Sequence, residues 1–313
     1  MIFPESVARD AWRLVAWGPW RLLSSTLPPG WDLAANRALG KAAAHVAPGT
    51  RSRVEANVRR ALGAQADAPL IAREAFCTHF AHQYLPASFP RIRAENAFWY
   101  LRIQGLERLD ALLGDGRGAV LVHPHMGPVQ LPLCVLGVLG YPVHQVGGGR
   151  VAGLSRTGRW AARVRGSLEA TLPASVHDAR GYLRPVLRVL QAGGIVLAPC
   201  DGTGGGEEIG RRMPRSVLGH PMRIAVGPAW LAWRAGVPLL PLVVHPSEGL
   251  GPAWTATIGE PLPLPRDLPT GDVLERGADL LAAFLEEALR RWPGEWLFWD
   301  QFEPGRFIED VPR

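Results

Sequence analysis

The chain has 313 residues, of which 47% are hydrophobic and 20% charged, and its mean hydropathy is +0.03. A chain of this length and composition can bury a large core, which excludes a disordered protein. The net charge of +6 indicates an anionic partner. Because no basic block is interleaved with aromatic residues, the sequence favours a membrane surface and predicts no nucleic-acid partner.

The segment from Ala11 to Leu27 is apolar and contains three tryptophans, but Arg13 and Arg21 interrupt it. It therefore falls short of the roughly 20 apolar residues of a spanning helix. Its composition favours a helix in the bilayer interface, with Trp at headgroup depth and Arg reaching phosphates; an ordinary helix packed on the protein is the alternative. The start of the chain has no signal-peptide pattern, and the cysteines show no paired spacing, so a reducing, cytosolic setting is expected.

The first hundred residues differ in pattern from the rest. Proline- and glycine-containing turns separate helical stretches, and we predict helices over residues 5–25, 32–46, 51–63 and 69–86. From residue 118 onward short apolar runs alternate with helical patterns. We predict strands over residues 118–123, 141–146, 194–200, 237–245 and 254–258, and helices over residues 128–140, 151–166, 178–192, 225–235 and 271–292.

This alternation predicts an α/β fold with a largely parallel central sheet flanked by helices. The expected organisation is a helical N-terminal section, residues 1–100, and an α/β domain, residues 101–313, packed as one compact unit.

Two histidines follow the first predicted strand of the sheet, in the segment His123-Pro-His125-Met-Gly127. Ligands of open α/β sheets bind at the carboxyl ends of the strands. An imidazole held there, near a glycine that lets a substrate approach the backbone, can act as a general base. His125 is the candidate, and the alternative is that it only caps or packs. The nearby sequence offers no third ligand, so no metal is expected.

The same segment resembles the signature of the lysophospholipid acyltransferase superfamily, in particular the late acyltransferases of bacterial lipid A biosynthesis. That signature has a histidine, a glycine two residues on, and Glu or Asp five residues on. His125 and Gly127 match, whereas Gln130 stands at the carboxylate position. Other segments before and after this one are also similar to segments of the family, and they occur in the same order as in the family over roughly residues 50–303. They begin at Arg53, Gly105, Leu190, Val217, Gly227 and Trp292.

The resemblance implies a glycerolipid acyltransferase-like fold and a one-step acyl transfer. The donor would be a thioester of acyl carrier protein or coenzyme A, so no bound cofactor is expected. The acceptor would be a lipid, a glycolipid, or a smaller hydroxyl or amine compound, deprotonated by His125 for attack on the thioester carbonyl. The implied location is the cytoplasmic face of the bacterial inner membrane, with peripheral attachment.

Gln130 raises the question of what replaces the family's carboxylate, which orients the imidazole and stabilises the imidazolium. The amide oxygen of Gln130 can accept a hydrogen bond from the ring but carries no charge. Three interpretations follow. Asp201, Glu207 or Glu208 takes the role from the next strand end; the acceptor is an amine that needs less base assistance; or the protein is a degenerate member that binds acyl groups without turnover.

Asp201 also opens a glycine-rich segment that lacks the Gly-Lys-Ser/Thr of a phosphate loop, and we interpret this segment as a substrate-binding loop. Arginines beyond it can hold phosphates of a donor or a headgroup. A second basic stretch, where the family has an active-site basic residue, offers Arg159 or Arg163. The predicted substrate-binding residues are His123, Gly127, Arg159, Arg163, Gly202, Glu207, Glu208, Arg211 and Arg212.

Cys200 offers a second mechanism. With His125 as its base, the thiol would form an acyl-enzyme and give a thioester-offloading transferase. A buried structural thiol is the alternative reading of this residue. No Gly-x-Ser-x-Gly segment occurs, so a serine hydrolase is not expected.

Overall fold

The computed structural model describes residues 5–147, 153–180, 183–202, 210–267 and 269–309. The predicted site residues Glu207 and Glu208 lie outside this part of the chain.

Helices make up the first part of the chain, as predicted: α1 (Val7–Val15), α2 (Arg21–Ser24), α3 (Trp31–Val46), α4 (Pro48–Leu62) and α5 (Ala68–Tyr84). A proline in the first turn begins α4, where its missing N–H costs nothing. The prediction of a single helix over residues 5–25 is wrong in one respect. A π-helical turn at Ala16–Trp20 kinks it, because Pro19 cannot donate to the helical ladder and Gly18 leaves helical geometry.

Within the described residues, seven strands form one sheet in the order β1-β9-β8-β2-β5-β3-β4, and two more form a hairpin. The strands are β1 (Arg102–Gln104), β2 (Ala119–His123), β3 (Val143–Gly147), β4 (Ser175–Asp178), β5 (Ile195–Pro199), β6 (Arg212–Val217), β7 (His220–Ala225), β8 (Leu239–Pro246) and β9 (Trp254–Ile258). Neighbours in the sheet are parallel except β8 and β9. The predicted α/β fold with a largely parallel sheet is confirmed.

Helices flank this sheet, and their order along the chain alternates with that of the strands. They are α6 (Leu106–Gly114), α7 (Leu131–Val138), α8 (Arg156–Glu169), α9 (Arg184–Gln191), α10 (Gly227–Ala235) and α11 (Thr270–Arg291). The helix predicted over residues 178–192 begins later than expected, because Ser175–Asp178 pairs with β3 and Pro185 sits in the first turn of α9.

The core lies on both faces of the sheet. In β2, Val120 and Val122 pack into one apolar cluster. This cluster also contains residues of α4, of α5 and of residues 293–309 after α11, which we call the C-terminal segment. Ala119 and Leu121 pack into a second cluster on the other face. Burial on both faces explains why this strand is a continuous apolar run. The domain boundary at residue 100 stays a prediction.

Candidate active site

His125 and Asp201 meet because β2 and β5 are neighbouring parallel strands. His123 at the end of β2 is paired in register with Pro199 at the end of β5. His125 and Asp201 therefore each stand two residues beyond the same point on the sheet edge. The Nδ1 atom of His125 lies 2.7 Å from Oδ1 of Asp201, and the backbone N–H of His125 donates to Oδ2 at 2.8 Å.

Asp201 is an ionised carboxylate in a buried position. Burial alone would raise its pKa, but the His125 charge, the two bonds from His125 and one from Trp296 together hold the pKa of Asp201 below its ordinary value. A carboxylate at Nδ1 fixes the proton of a neutral imidazole on that atom and leaves the lone pair on Nε2. The His125 side chain is 21% exposed, so this lone pair belongs to a ring that substrate can reach.

His123 differs from His125 although both follow the same strand. Its side chain is buried, and Nδ1 lies 3.1 Å from the carbonyl oxygen of Pro124. Burial, followed by the nearby charge of His125, lowers the pKa of His123 to about 4. His123 is therefore neutral near pH 7, and it is too enclosed to act as the base.

Gly127 is required where it stands. Its φ of +64° is a conformation that side-chain-bearing residues seldom adopt, and a Cβ there would lie 2.6 Å from Cγ1 of Val244 in β8. Its backbone N–H donates to the carbonyl oxygen of Glu295 at 2.9 Å. The glycine thus lets residues 123–127, which we call the histidine turn, pack closely between β8 and the C-terminal segment.

Gln130 does not orient the His125 ring. It lies directly before α7, and its carbonyl oxygen accepts a hydrogen bond from Cys134 N at 3.1 Å. Its amide oxygen Oε1 is buried without a hydrogen-bond partner among the described residues. The hydrogen bond that Gln130 could accept from the ring is thus not formed, because Nδ1 faces Asp201, one of the carboxylates suggested as its replacement.

A cavity of about 1400 Å³ has Gln130, three residues beyond Gly127, in its wall. This exceeds the roughly 300–1,000 Å³ of common small-molecule sites. Its walls are mostly apolar side chains from α1, α3, α5 and α8, among them Trp12, Trp17, Leu39, Phe80 and Ala161. Gln130, Gln145, His79 and Arg165 are among its polar lining residues.

Gln130 is the lining residue that lies nearest to His125 in the sequence, five residues beyond it. Burial, followed by the charges of Arg165 and His125, lowers the pKa of His82 well below its ordinary value. The wall of a mostly apolar cavity with room for a hydrocarbon chain therefore includes a residue five positions beyond the imidazole that Asp201 holds.

Comparison with known families decides the class of protein. Residues 9–301 match the model of a family described as bacterial lipid A biosynthesis acyltransferase. The chain belongs to this acyltransferase family. A search of curated proteins returned no match.

In this acyltransferase, the other predicted binding residues fall in different places. Gly202 directly follows Asp201, and a Cβ on it would lie 3.2 Å from Nη1 of Arg212. Arg211 is exposed beside Arg212, ahead of the β6–β7 hairpin. Arg159 and Arg163 of α8 are also exposed and do not line the cavity; Arg165, two residues on, does.

Several residues near the His125–Asp201 pair, which we call the dyad, were not among the predicted site residues. The Phe298 ring lies 4.8 Å from the His125 ring, measured between centroids. Trp296 donates from Nε1 to Oδ2 of Asp201 at 2.9 Å. His79 of α5 lines the cavity, and His82 follows it in the same helix three residues on. Only the likeness of the closing Trp292–Trp299 segment to the family pointed to any of these positions.

The N-terminal tryptophans of the acyltransferase face the protein, which corrects the expectation that they lie at headgroup depth. Trp17 is buried, and Trp12 donates from Nε1 to the Tyr84 hydroxyl at 2.5 Å. Arg13 is buried and paired with Glu5 and Asp10. The outward side chains are leucines and a valine: Leu14, Val15, Leu22 and Leu23.

Within the described ranges, no helix has the length and apolar character to cross a bilayer. No group of three or more His, Cys, Asp or Glu side chains there is arranged to hold a metal ion.

Proposed function

We propose that this acyltransferase moves an acyl group from a thioester of acyl carrier protein or coenzyme A to a hydroxyl or amine of a lipid, with His125 as general base. The observation that carries the proposal is the 2.7 Å contact between His125 Nδ1 and Asp201 Oδ1. The 1400 Å³ cavity with mostly apolar walls, whose lining includes Gln130 five residues beyond His125, supports it. The cavity would hold the acyl chain, and the dyad would activate the acceptor.

The proposed reaction is a direct transfer. Nε2 of His125 takes the proton from the acceptor hydroxyl or amine, whose oxygen or nitrogen attacks the thioester carbonyl carbon. Asp201 stabilises the imidazolium that forms, as the acid of a catalytic triad does. The tetrahedral intermediate expels the thiolate, which recovers the proton from His125. In this proposal Arg165, a basic residue of α8 that lines the cavity, stabilises negative charge on the carbonyl oxygen.

The geometry favours this reading over the two alternatives. Cys200 is fully buried, and burial raises the pKa of its thiol well above the ordinary value, which opposes the thiolate that an acyl-enzyme route needs. A degenerate member would have lost the carboxylate at the imidazole. Here Asp201 fills that role from the next strand.

Membrane attachment is the second part of the proposal. The exposed side chains Leu14, Val15, Leu22, Leu23 and Trp31 form what we call the apolar edge, between 48% and 67% exposed. An apolar surface on the same N-terminal segment as Trp12 and Trp17, which line the cavity, fits a protein that takes lipid from a bilayer. We infer peripheral attachment at the cytoplasmic face of the bacterial inner membrane, where the net charge of +6 favours anionic lipid.

Replacement of His125 by Ala tests the catalytic role. The assay supplies palmitoyl-coenzyme A or palmitoyl–acyl carrier protein with a bacterial lipid extract, and measures labelled acyl-lipid product and remaining thioester. Loss of a general base should lower the rate about 10²–10⁴-fold. Intact-mass spectrometry during turnover should detect no acyl-enzyme.

His45→Ala, at an exposed histidine of α3, is the matched control and should retain the wild-type rate. Unchanged transfer by His125→Ala, or an acyl group trapped on Cys200, would refute the proposed mechanism.

A further inference from the structure

Trp296 contacts Asp201 rather than substrate. It follows α11 in the short segment Pro293–Gln301, and its ring is fully buried. Its indole Nε1–H donates to Oδ2 of Asp201 at 2.9 Å. An indole N–H can only donate, and the planar ring has two side-chain torsions, both fixed here by packing. It is a rigid donor aimed at the carboxylate that holds the base.

The hydrogen bonds of Asp201 divide between its two oxygens. Oδ1 faces Nδ1 of His125 at 2.7 Å. Oδ2 accepts from the backbone N–H of His125 at 2.8 Å and from Trp296 at 2.9 Å. The two donors at Oδ2 set the rotation of the carboxylate group and so direct Oδ1 toward the ring. Without Trp296, one backbone N–H would hold that oxygen alone.

The backbone beside Trp296 also holds the histidine turn. Leu297 N donates to the carbonyl oxygen of His125 at 3.0 Å, and Gly127 N donates to the carbonyl oxygen of Glu295 at 2.9 Å. Met126 and Trp296 form an antiparallel bridge. Three consecutive residues of the C-terminal segment therefore fix both partners of the dyad.

The segment is itself anchored to the helical N-terminal section. Asn57 of α4 is buried, and its Nδ2 donates to the carbonyl oxygen of Trp299 at 2.8 Å. The Trp296 and Trp299 rings pack edge to face with centroids 4.9 Å apart. The direction of the Trp296 N–H is thus set by a rigid frame.

We infer that Trp296 is a positioning residue of the acyl transfer: its indole N–H fixes Asp201 in the rotation that orients His125. The inference rests on the proposed function, in which His125 is the base. Without the indole N–H, the Asp201 carboxylate, which carries the negative charge of the dyad, accepts one hydrogen bond fewer. The dyad then gains a proton more readily, so the acidic limb of the pH–rate profile moves to higher pH.

The test replaces Trp296 by Phe and measures acyl transfer from palmitoyl-coenzyme A against pH. Loss of a residue that orients a functional group costs about 10–100-fold in activity. We expect this loss in kcat, with KM changed less than threefold, and the shift of the acidic limb. In proton NMR, the far-downfield resonance of the Nδ1–H shared with Asp201 should move or broaden.

Trp254→Phe is the matched control. Trp254 is also fully buried, and its Nε1 donates at 2.8 Å to a buried carboxylate, that of Glu295. Both variants lose an indole bond to a carboxylate, so their Tm should fall by similar amounts. The Trp254 variant should keep the pH profile and the downfield resonance.

An unshifted pH profile and resonance in Trp296→Phe, or the same shifts in Trp254→Phe, would overturn the inference. If Trp296→Phe does not fold, benzothienylalanine placed at residue 296 removes the N–H at nearly constant volume, and the same outcomes apply. Failure of the proposed function would instead show as full activity of His125→Ala, whereas the NMR measurement needs no turnover.

Discussion

Asp201 supplies the negative charge that Gln130 lacks. Its carboxylate reaches Nδ1 of His125 from the next strand, so the imidazole has a carboxylate partner although the residue five beyond the histidine is an amide. Gln130 is left with a buried, unpartnered Oε1 at the cavity. Its place in the molecule is that of a cavity wall, not of a catalytic acid.

Gln130→Glu should therefore not raise activity. The imidazole already has its carboxylate, and a second negative charge would be buried without a partner. We expect kcat to stay equal or fall, and the free energy of unfolding to drop by about 1–3 kcal/mol near pH 7. Urea unfolding and steady-state rates measure both. A large gain in kcat would show that Asp201 does not compensate for Gln130.

The histidine of the dyad could be proposed from sequence, but its carboxylate partner could not be singled out. His125 follows a strongly apolar strand and is flanked by Gly127, which together suggest a strand-end site. Asp201, Glu207 and Glu208 were equally available as partners, because only the pairing of His123 with Pro199 fixes which carboxylate faces the ring. Trp296 is 171 residues away from His125 in the chain, and no local pattern reports such a contact.

Among the elements, strands buried on both faces were predictable and exposed ones were not. β2 and β5 are continuous apolar runs bounded by glycine or histidine. β4 has mostly exposed residues, and the β6–β7 hairpin contains arginines and prolines and alternates only over Met222-Arg223-Ile224, so neither carries a clear strand pattern. Pairing with neighbours, and not local propensity, makes them strands.

The kinked N-terminal helix separates its aromatic and aliphatic residues. Trp12 and Trp17 line the cavity, whereas Leu22 and Leu23 of α2 are 59% and 58% exposed. The kink at Gly18 and Pro19 turns α2 away from the direction of α1. The element thus closes one side of the cavity and presents the apolar edge outward.

The double variant Leu22→Glu, Leu23→Glu tests the apolar edge. Each leucine removed from lipid costs about 1.5–3 kcal/mol, so binding to vesicles of phosphatidylethanolamine and phosphatidylglycerol should weaken tenfold or more in a sedimentation assay. Leu139→Glu, at an exposed leucine after α7, should bind like the wild type. Equal sedimentation of the double variant and the wild type would exclude the apolar edge as the membrane contact.

At the scale of the whole molecule, the N-terminal helices and the sheet share one core. The larger apolar cluster joins residues of α4 and α5 to β2, β5, α11 and the C-terminal segment. Residues of α1, α3, α5 and α8 line the cavity together with Gln130, which follows the His123–Gly127 turn. These parts lie far apart along the chain, and only the fold gathers them into one cavity wall.

The kcat of Asp201→Asn in acyl transfer from palmitoyl-coenzyme A to lipid tests the central claim most directly. An amide keeps the shape but loses the charge, and its NH₂ can donate to Nδ1 and force the wrong tautomer. By analogy with a triad acid, kcat should fall about 10⁴-fold. Asp115→Asn, at an exposed aspartate after α6, should have no effect. A loss of less than about tenfold in Asp201→Asn would contradict a His125–Asp201 dyad as the catalytic centre.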